Sequence, residues 1–270
     1  MFARLNHMAI ISHNYPMIGK FYEAMFGLKS SGRTSPYGSV VFGDGYVGLN
    51  IIPRRDGYVG GLDHFGVEVD DCDAVLARMR AKHPGANIVK RPSTRPFAAY
   101  SGHDPDGNVF DMAQKKNDTR SDIYADQSKD GWHQDRYIDN FTIRTPNAER
   151  CAEFYRDVFE LVPTNKKSEL PGHHLSDGRV TLSILPWSIE TFEGMSIKRP
   201  GPDHIGFKVE NLEAFKTHMA MVAGLNPYIA PVPLGGSRES EVRKRLIASS
   251  STGKFQIADP DGVWIDITDE

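Results

Sequence analysis

The sequence predicts an α+β protein built from four copies of one small unit, a strand, a helix and three further strands. Three observations predict it. A short strand recurs, as LNHMAII at 5–11, LDHFGVE at 62–68, IDNFTIR at 138–144 and PDHIGFK at 202–208. The chain also duplicates itself. A shift of 133 residues carries His7 onto Asn140, Phe21 and Tyr22 onto Phe154 and Tyr155, and Asp44 onto Asp177. A shift of 140 carries Asp63 and His64 onto Asp203 and His204, and one of 155 carries DPDGNVFD at 104–111 onto DPDGVWID at 259–266. Finally, the recurring strand leads into apolar residues at helical spacing, then into strand-like runs punctuated by turns.

The elements follow in order. The first strand exposes alternate side chains on one face. His7 is therefore expected to share a face with Leu5 and Ala9, and Met8 and Ile10 to point the other way. The first helix is expected over 15–26, with Asn14 as its cap, Pro16 in its first turn and Gly27 at its end. Ser39–Phe42 and Tyr46–Ile52 read as a hairpin around Gly43-Asp44-Gly45. In the second unit His64 and Gly66 face one way, and Phe65, Val67 and Val69 the other. Asp70 or Asp71 caps a helix that ends by His83-Pro84-Gly85, and a hairpin turns at DPDGN.

Residues 116–136 are polar and aperiodic and read as a linker between an N-terminal domain, 1–115, and a C-terminal domain, 137–270. The growing shift places a small insertion near 190–200 and one of about 15 residues between roughly 225 and 255. Its Pro/Gly/Ser-rich stretch, 231–253, reads as a long loop, either functional or without fixed structure.

With 39% hydrophobic and 25% charged residues, the composition is that of a soluble globular protein. A net charge of -3 and the lack of any Lys/Arg-rich run argue against a nucleic-acid partner. No apolar run approaches the roughly 20 residues of a membrane helix. Two cysteines, Cys72 and Cys151, make a disulfide framework unexpected and suit a reducing compartment, so the expected location is the cytoplasm. The expected partner is a small-molecule substrate, with a homo-oligomer possible.

The His7 and His64 faces are the ones to search for chemistry. On the closing strand of unit two, Phe110 and Met112 suit the helix side, so Asp111 projects to the opposite face. Two imidazoles and one carboxylate there form a facial triad with open positions, which suits Fe(II), favoured here, or Mn(II). The second half offers Asn140, His204 and Asp266, and an amide oxygen is a poorer ligand than an imidazole. Duplication by itself would also account for the repeated histidines and for Asp111 as a turn-supporting residue.

The pattern L-x-H, then FY and F-G-L in a helix, then DPDGN-x-x-[DE], resembles the vicinal oxygen chelate superfamily of glyoxalases, bleomycin-resistance proteins and extradiol dioxygenases. The resemblance implies four βαβββ units paired into two half-barrel domains, each a cup for a divalent metal. It implies His7, His64 and Asp111 as ligands. There are three departures. The closing-strand ligand is usually Glu and here is Asp111. The fourth ligand of glyoxalase-type members, a Glu in the hairpin strand of unit one, is matched by Asn50, or by Leu49 if the register slips. Two-domain ring-cleavage members keep their metal in the second half, whereas here the intact set is in the first.

Tyr100 and Glu68 are candidate proton carriers, and Asn50 and Arg95 candidate substrate-binding residues. His173 and His174 read as structural or interfacial, and Trp264 as lining the second cup. Three functions remain in view. One is extradiol-type cleavage of a catechol-like aromatic. Another is isomerase, epimerase or lyase chemistry through an enediolate. The third is metal-free binding of a small molecule.

Overall fold

The computed structural model of the chain describes residues 3–34, 38–92, 98–117, 134–188 and 200–270. Unit one is β1 (Ala3–Ser12), α1 (Tyr15–Phe26), β2 (Lys29–Thr34), β3 (Val40–Gly43) and β4 (Gly48–Pro53). Unit two is β5 (Gly61–Val69), α2 (Cys72–Lys82), β6 (Ile88–Lys90), β7 (Tyr100–His103) and β8 (Val109–Gln114). Together they form one eight-stranded sheet in the order β2-β3-β4-β1-β5-β8-β7-β6. Unit three is β9 (Tyr137–Thr145), α3 (Ala148–Phe159), β10 (Val162–Pro163), β11 (His173–Ser176) and β12 (Thr181–Pro186). Unit four is β13 (Gly201–Lys208), α4 (Leu212–Leu225), α5 (Arg238–Ser250), β14 (Phe255–Ala258) and β15 (Trp264–Thr268). These pair as a seven-stranded sheet, β10-β11-β12-β9-β13-β15-β14. The protein is α+β, with two large sheets and few helices, as the repeats predict.

Local sequence accounts for the helix ends. Asp71 caps α2 by accepting from the N–H groups of Asp73 and Ala74, and Asn147 and Asn211 do the same for α3 and α4. Asn14 stands at the cap position of α1 but makes no side-chain cap bond; Gly27 ends that helix in the left-handed conformation. The stretch 231–253, expected as a loop, is mostly α5. Ser237 and Ser240 form a reciprocal capping box at its start. The turn-forming composition hid a helix whose start is set by two serines. As a result unit four has only two strands after its helices, and a single bridge from Val232 to Ala258 stands where a third would be.

The two sheets share one hydrophobic core, in which α1 packs on its own sheet and against α4, and α3 on its own sheet and against α2. Phe26 of α1 stacks on Phe207 of β13 at 3.8 Å and on Phe215 of α4 at 5.3 Å. Phe159 of α3 meets Phe110 of β8 at 5.4 Å, edge to face. Three pairs of polar contacts repeat this pseudo-symmetry. The Leu5 N–H donates to Asp177 and the Ile138 N–H to Asp44, at 2.7 and 2.8 Å. Ser12 donates to Asp261 and Thr145 to Asp106. The Tyr22 hydroxyl donates to Asp259 and the Tyr155 hydroxyl to Asp104, both at 3.1 Å. In each DPDG turn, then, the first Asp braces its own loop and receives a tyrosine from the other half.

That arrangement has a pH signature. Burial pushes the Asp259 carboxyl up to about 7, despite the N–H groups of Val263 and Asp261 and the Tyr22 hydroxyl that it accepts from. A carboxyl in an unfolded chain titrates near pH ~4. The folded form therefore holds this proton more tightly, so the contribution to stability is full below about pH 4 and is lost as pH rises through about 7. Asp259→Asn is expected to flatten the stability profile between about pH 4 and 7, gaining on the wild type as pH rises, by about 1.4 kcal/mol per unit of pKa difference. Urea midpoints across that range are the check; parallel curves for the two proteins would contradict the assignment.

Candidate metal centre

Alternation sorts the faces of the first sheet. Met8 and Ile10 of β1, Leu49 and Ile51 of β4, Phe65 and Val67 of β5, and Phe110 and Met112 of β8 all lie in the core. His7, Asn50, His64, Gly66 and Asp111 occupy the intervening positions and so face the other way, into the concave side. One expectation about this face fails. Leu5 belongs to the core with Met8 and Ile10, because the register of β1 against β5 shifts between Leu5 and His7. The extra residue is Asn6.

The shift matters for the site. A second one lies between Ala9 and Ile10, opposite His64 and Leu62, and leaves Asp63 as the extra residue on β5. Neighbouring residues in a regular strand point to opposite faces, and a bulge re-aims one of them. Each bulged residue turns its side chain onto the histidine that follows it. Asn6 Oδ1 lies 3.0 Å from His7 Nδ1, and Asp63 Oδ2 lies 2.7 Å from His64 Nδ1. With Nδ1–H donated in each case, the Nε2 lone pairs are the ones presented to the cup. The sequence holds the signal for this pair of supports: a Asn/Asp–His dipeptide at 6–7, 63–64 and 203–204, and Asp–Asn at 139–140.

The Nε2 atoms of His7 and His64 lie 3.9 and 3.4 Å from Asp111 Oδ2. One donor atom from each of the three residues lies within 4.8 Å of the others. The Ser101 hydroxyl on β7 donates to Asp111 Oδ1 and leaves Oδ2 to the histidines. The two imidazoles stand edge to face, 5.5 Å apart and 85° between planes. Close approach is possible because Gly66 lies opposite His7; a Cβ there would sit 2.0 Å from the ring. Burial opposes charge on His64, but its bond to Asp63 and the nearby Asp111 outweigh it and raise the imidazole's affinity for a proton. What attracts a proton there attracts a cation. Two neutral imidazoles and a carboxylate, each oriented by a further group, are a donor set that a divalent transition metal fits.

The other expected residues divide. Asn50 lies in the cup face of β4, across β1 from His64, with its Oδ1 buried and without a partner. Glu68 shares the His64 face but lies four residues along β5, about 13 Å away at roughly 3.3 Å per residue, and it is paired with Arg4 at 2.9 Å. Tyr100 is not brought to the centre. It pairs with Met112 in register and packs on the core, on the face opposite Asp111. The strand holding it alternates, so Ser101 takes the place facing the acid. Arg95 lies outside the described residues.

The second cup is closed by its own hydrogen bonds. Asn140 donates to Thr142 Oγ1 at 2.8 Å and accepts from Ser183 at 2.7 Å. Thr142, which stands where the first half has Ala9, lies 3.0 Å from His204 Nε2 and occupies the position a metal would need. His204 Nδ1 is held by Asp203, which also accepts from Arg144 at 2.7 Å. Arg144 reaches Ser250 at the end of α5, and Asp266 accepts from the backbone of Thr252 and Gly253 just beyond it. Every group matching the first-half set is thus used internally. His174, held by Ser183, is pushed down to about 4 by burial and by the charges of Lys166 and His173.

The concave face of the first sheet thus carries a His–His–Asp set on a scaffold of paired βαβββ units. Residues 4–112 match the family model of the Glyoxalase/Bleomycin resistance protein/Dioxygenase superfamily. No curated protein sequence matches it. Among solved structures, the Mn(II)-bound glyoxalase from Novosphingobium aromaticivorans superposes with a TM-score of 0.66 at 15% identity, covering 99% of this chain and 83% of that one. The 2,3-dioxygenase LapB from Pseudomonas sp. KL28 superposes at 0.65 with 16% identity, covering 98% and 91%. Homoprotocatechuate 2,3-dioxygenase from Arthrobacter globiformis does so at 0.61 with 15% identity, covering 98% and 78%. At such identities the likeness is one of fold.

Proposed function

We propose that the N-terminal domain, 1–115, holds a divalent metal on His7, His64 and Asp111, and that the protein is an extradiol-type dioxygenase acting on a catechol-like aromatic. Fe(II) is the favoured metal, with Mn(II) as the other ion suited to the set. The C-terminal domain, 137–270, joined through 116–136, is a scaffold whose cup no longer binds. The observation that carries this reading is the convergence of three oriented donors within 4.8 Å on one cup face while the matching set in the other half is consumed.

A metal held there supplies Lewis acidity and a template for two neighbouring substrate oxygens. The chain's own residues do the rest. Asn6 and Asp63 fix the imidazole tautomers, and Ser101 fixes the acid. The Asn50 amide oxygen accepts a hydrogen bond from a substrate hydroxyl, which supplies the partner it lacks. Enediolate chemistry needs a base beside the substrate carbon. Glu68 is committed to Arg4 and Tyr100 lies on the core face, so ring cleavage is the better-supported reading.

The test is to prepare the protein with Fe(II) without air, confirm that iron is retained, then add a panel of catechols and follow oxygen uptake. Uptake with the wild type and none with His64→Ala is expected. An iron-bearing protein that consumes no oxygen across the panel would end the ring-cleavage reading, and anaerobic turnover would favour the isomerase class.

A further inference from the structure

Arg91 directly follows β6, the edge strand of the first sheet, and its backbone N–H donates to Ala99 at 2.8 Å, extending the β6–β7 ladder by one residue. Register assigns its face. Val89 pairs with Ser101, and Ser101 with Asp111, while Ile88 packs on the core. Arg91, two residues beyond Val89, therefore faces the concave side with Ser101 and Asp111. That edge of the cup is open: Val89 is 56% exposed.

The guanidinium there is unspent. Its Nε is buried without a hydrogen-bond partner, and among the described residues no carboxylate pairs with it. The other cation of this face, Arg4, is already neutralised by Glu68. A buried donor left unsatisfied costs free energy that a bound acceptor recovers. A planar fork with one positive charge matches one carboxylate in geometry and in charge.

We infer that Arg91 anchors a carboxylate on the substrate, so that the molecule taken by this cup is an anionic aromatic, with its paired oxygens at His7, His64 and Asp111 and its acid group toward β6. The inference rests on the metal-centre reading above and adds the substrate's charge class.

Isothermal titration under anaerobic conditions tests it, with the protein loaded with Mn(II) and with catechol and 3,4-dihydroxybenzoate as probes. Metal content is measured first. The wild type is expected to bind the carboxylated probe at least about tenfold more tightly than catechol, Arg91→Met to lose that preference with catechol affinity unchanged, and Arg91→Lys to keep part of it. The preference is also expected to shrink as salt is raised. A metal-bearing wild type that binds both probes equally, or a preference that survives Arg91→Met, overturns the role of Arg91 and leaves the centre standing. A wild type that retains no Mn(II) overturns the centre and this inference together.

Discussion

His64→Ala is expected to leave a folded protein that retains no stoichiometric Fe(II) or Mn(II) after dialysis, as read by elemental analysis, with its circular dichroism unchanged. Among the described residues three donors converge on the cup face, and removing one leaves two, too few to hold a labile cation. The residue behind it predicts a graded effect. Asp63 holds the His64 ring at 2.7 Å, and Asp63→Ala is expected to weaken metal binding by about 10–100-fold, the usual cost of removing a group that orients a ligand. Asn140→Ala in the second half should leave metal content unchanged, since that cup's groups bond to one another. Metal retained by His64→Ala at the wild-type level would remove the basis of the catalytic proposal.

The second large effect belongs to the cup without a metal. Arg144 is 1% exposed and lies 2.7 Å from the buried Asp203. Burial works against ionisation of Asp203, but Arg144 and His204 hold its carboxyl down at about 2. Arg144→Ala leaves that carboxylate buried without its main counter-charge, and the expected loss is about 3–5 kcal/mol in urea unfolding. The sign with pH follows. A depressed carboxyl stabilises the fold above about pH 4, and that contribution is lost as pH falls toward about 2. In the variant the carboxyl is no longer held down, so the loss of stability on acidification below about pH 4 should shrink and the gap to the wild type should narrow toward about pH 2. A companion double variant, Arg144→Met with Asp203→Leu, removes both charges and should recover much of the loss. A loss below about 1 kcal/mol for Arg144→Ala would mean that water reaches this pair.

Much of the fold was legible because its determinants are local. The alternation that sorts Phe65 and Val67 from His64 and Gly66 has a period of two and needs no knowledge of distant contacts. The cap at Asp71 and the left-handed Gly27 are likewise written within a few residues. Leu5 was misread because one extra residue, Asn6, reverses the phase, and the preference for a bulge comes from what Asn6 bonds to. The helix at Arg238–Ser250 was hidden by its serines, which serve both as cap and as turn formers. Tyr100 lies away from the centre for a related reason: on a four-residue strand the face is set by its partner β8, not by its own pattern.

By itself the sequence determined the duplication, the α+β class and the three side chains that share the cup face, since repeats and strand periodicity are properties of residue order. Only the tertiary structure decided which cup has room for an ion. That difference turns on Ala9 against Thr142 beside the histidine and on the Arg144–Ser250 bond at the end of α5. Each is a contact between groups far apart in the chain, where a hydroxyl in reach of an imidazole satisfies it internally and an alanine leaves its lone pair for something else.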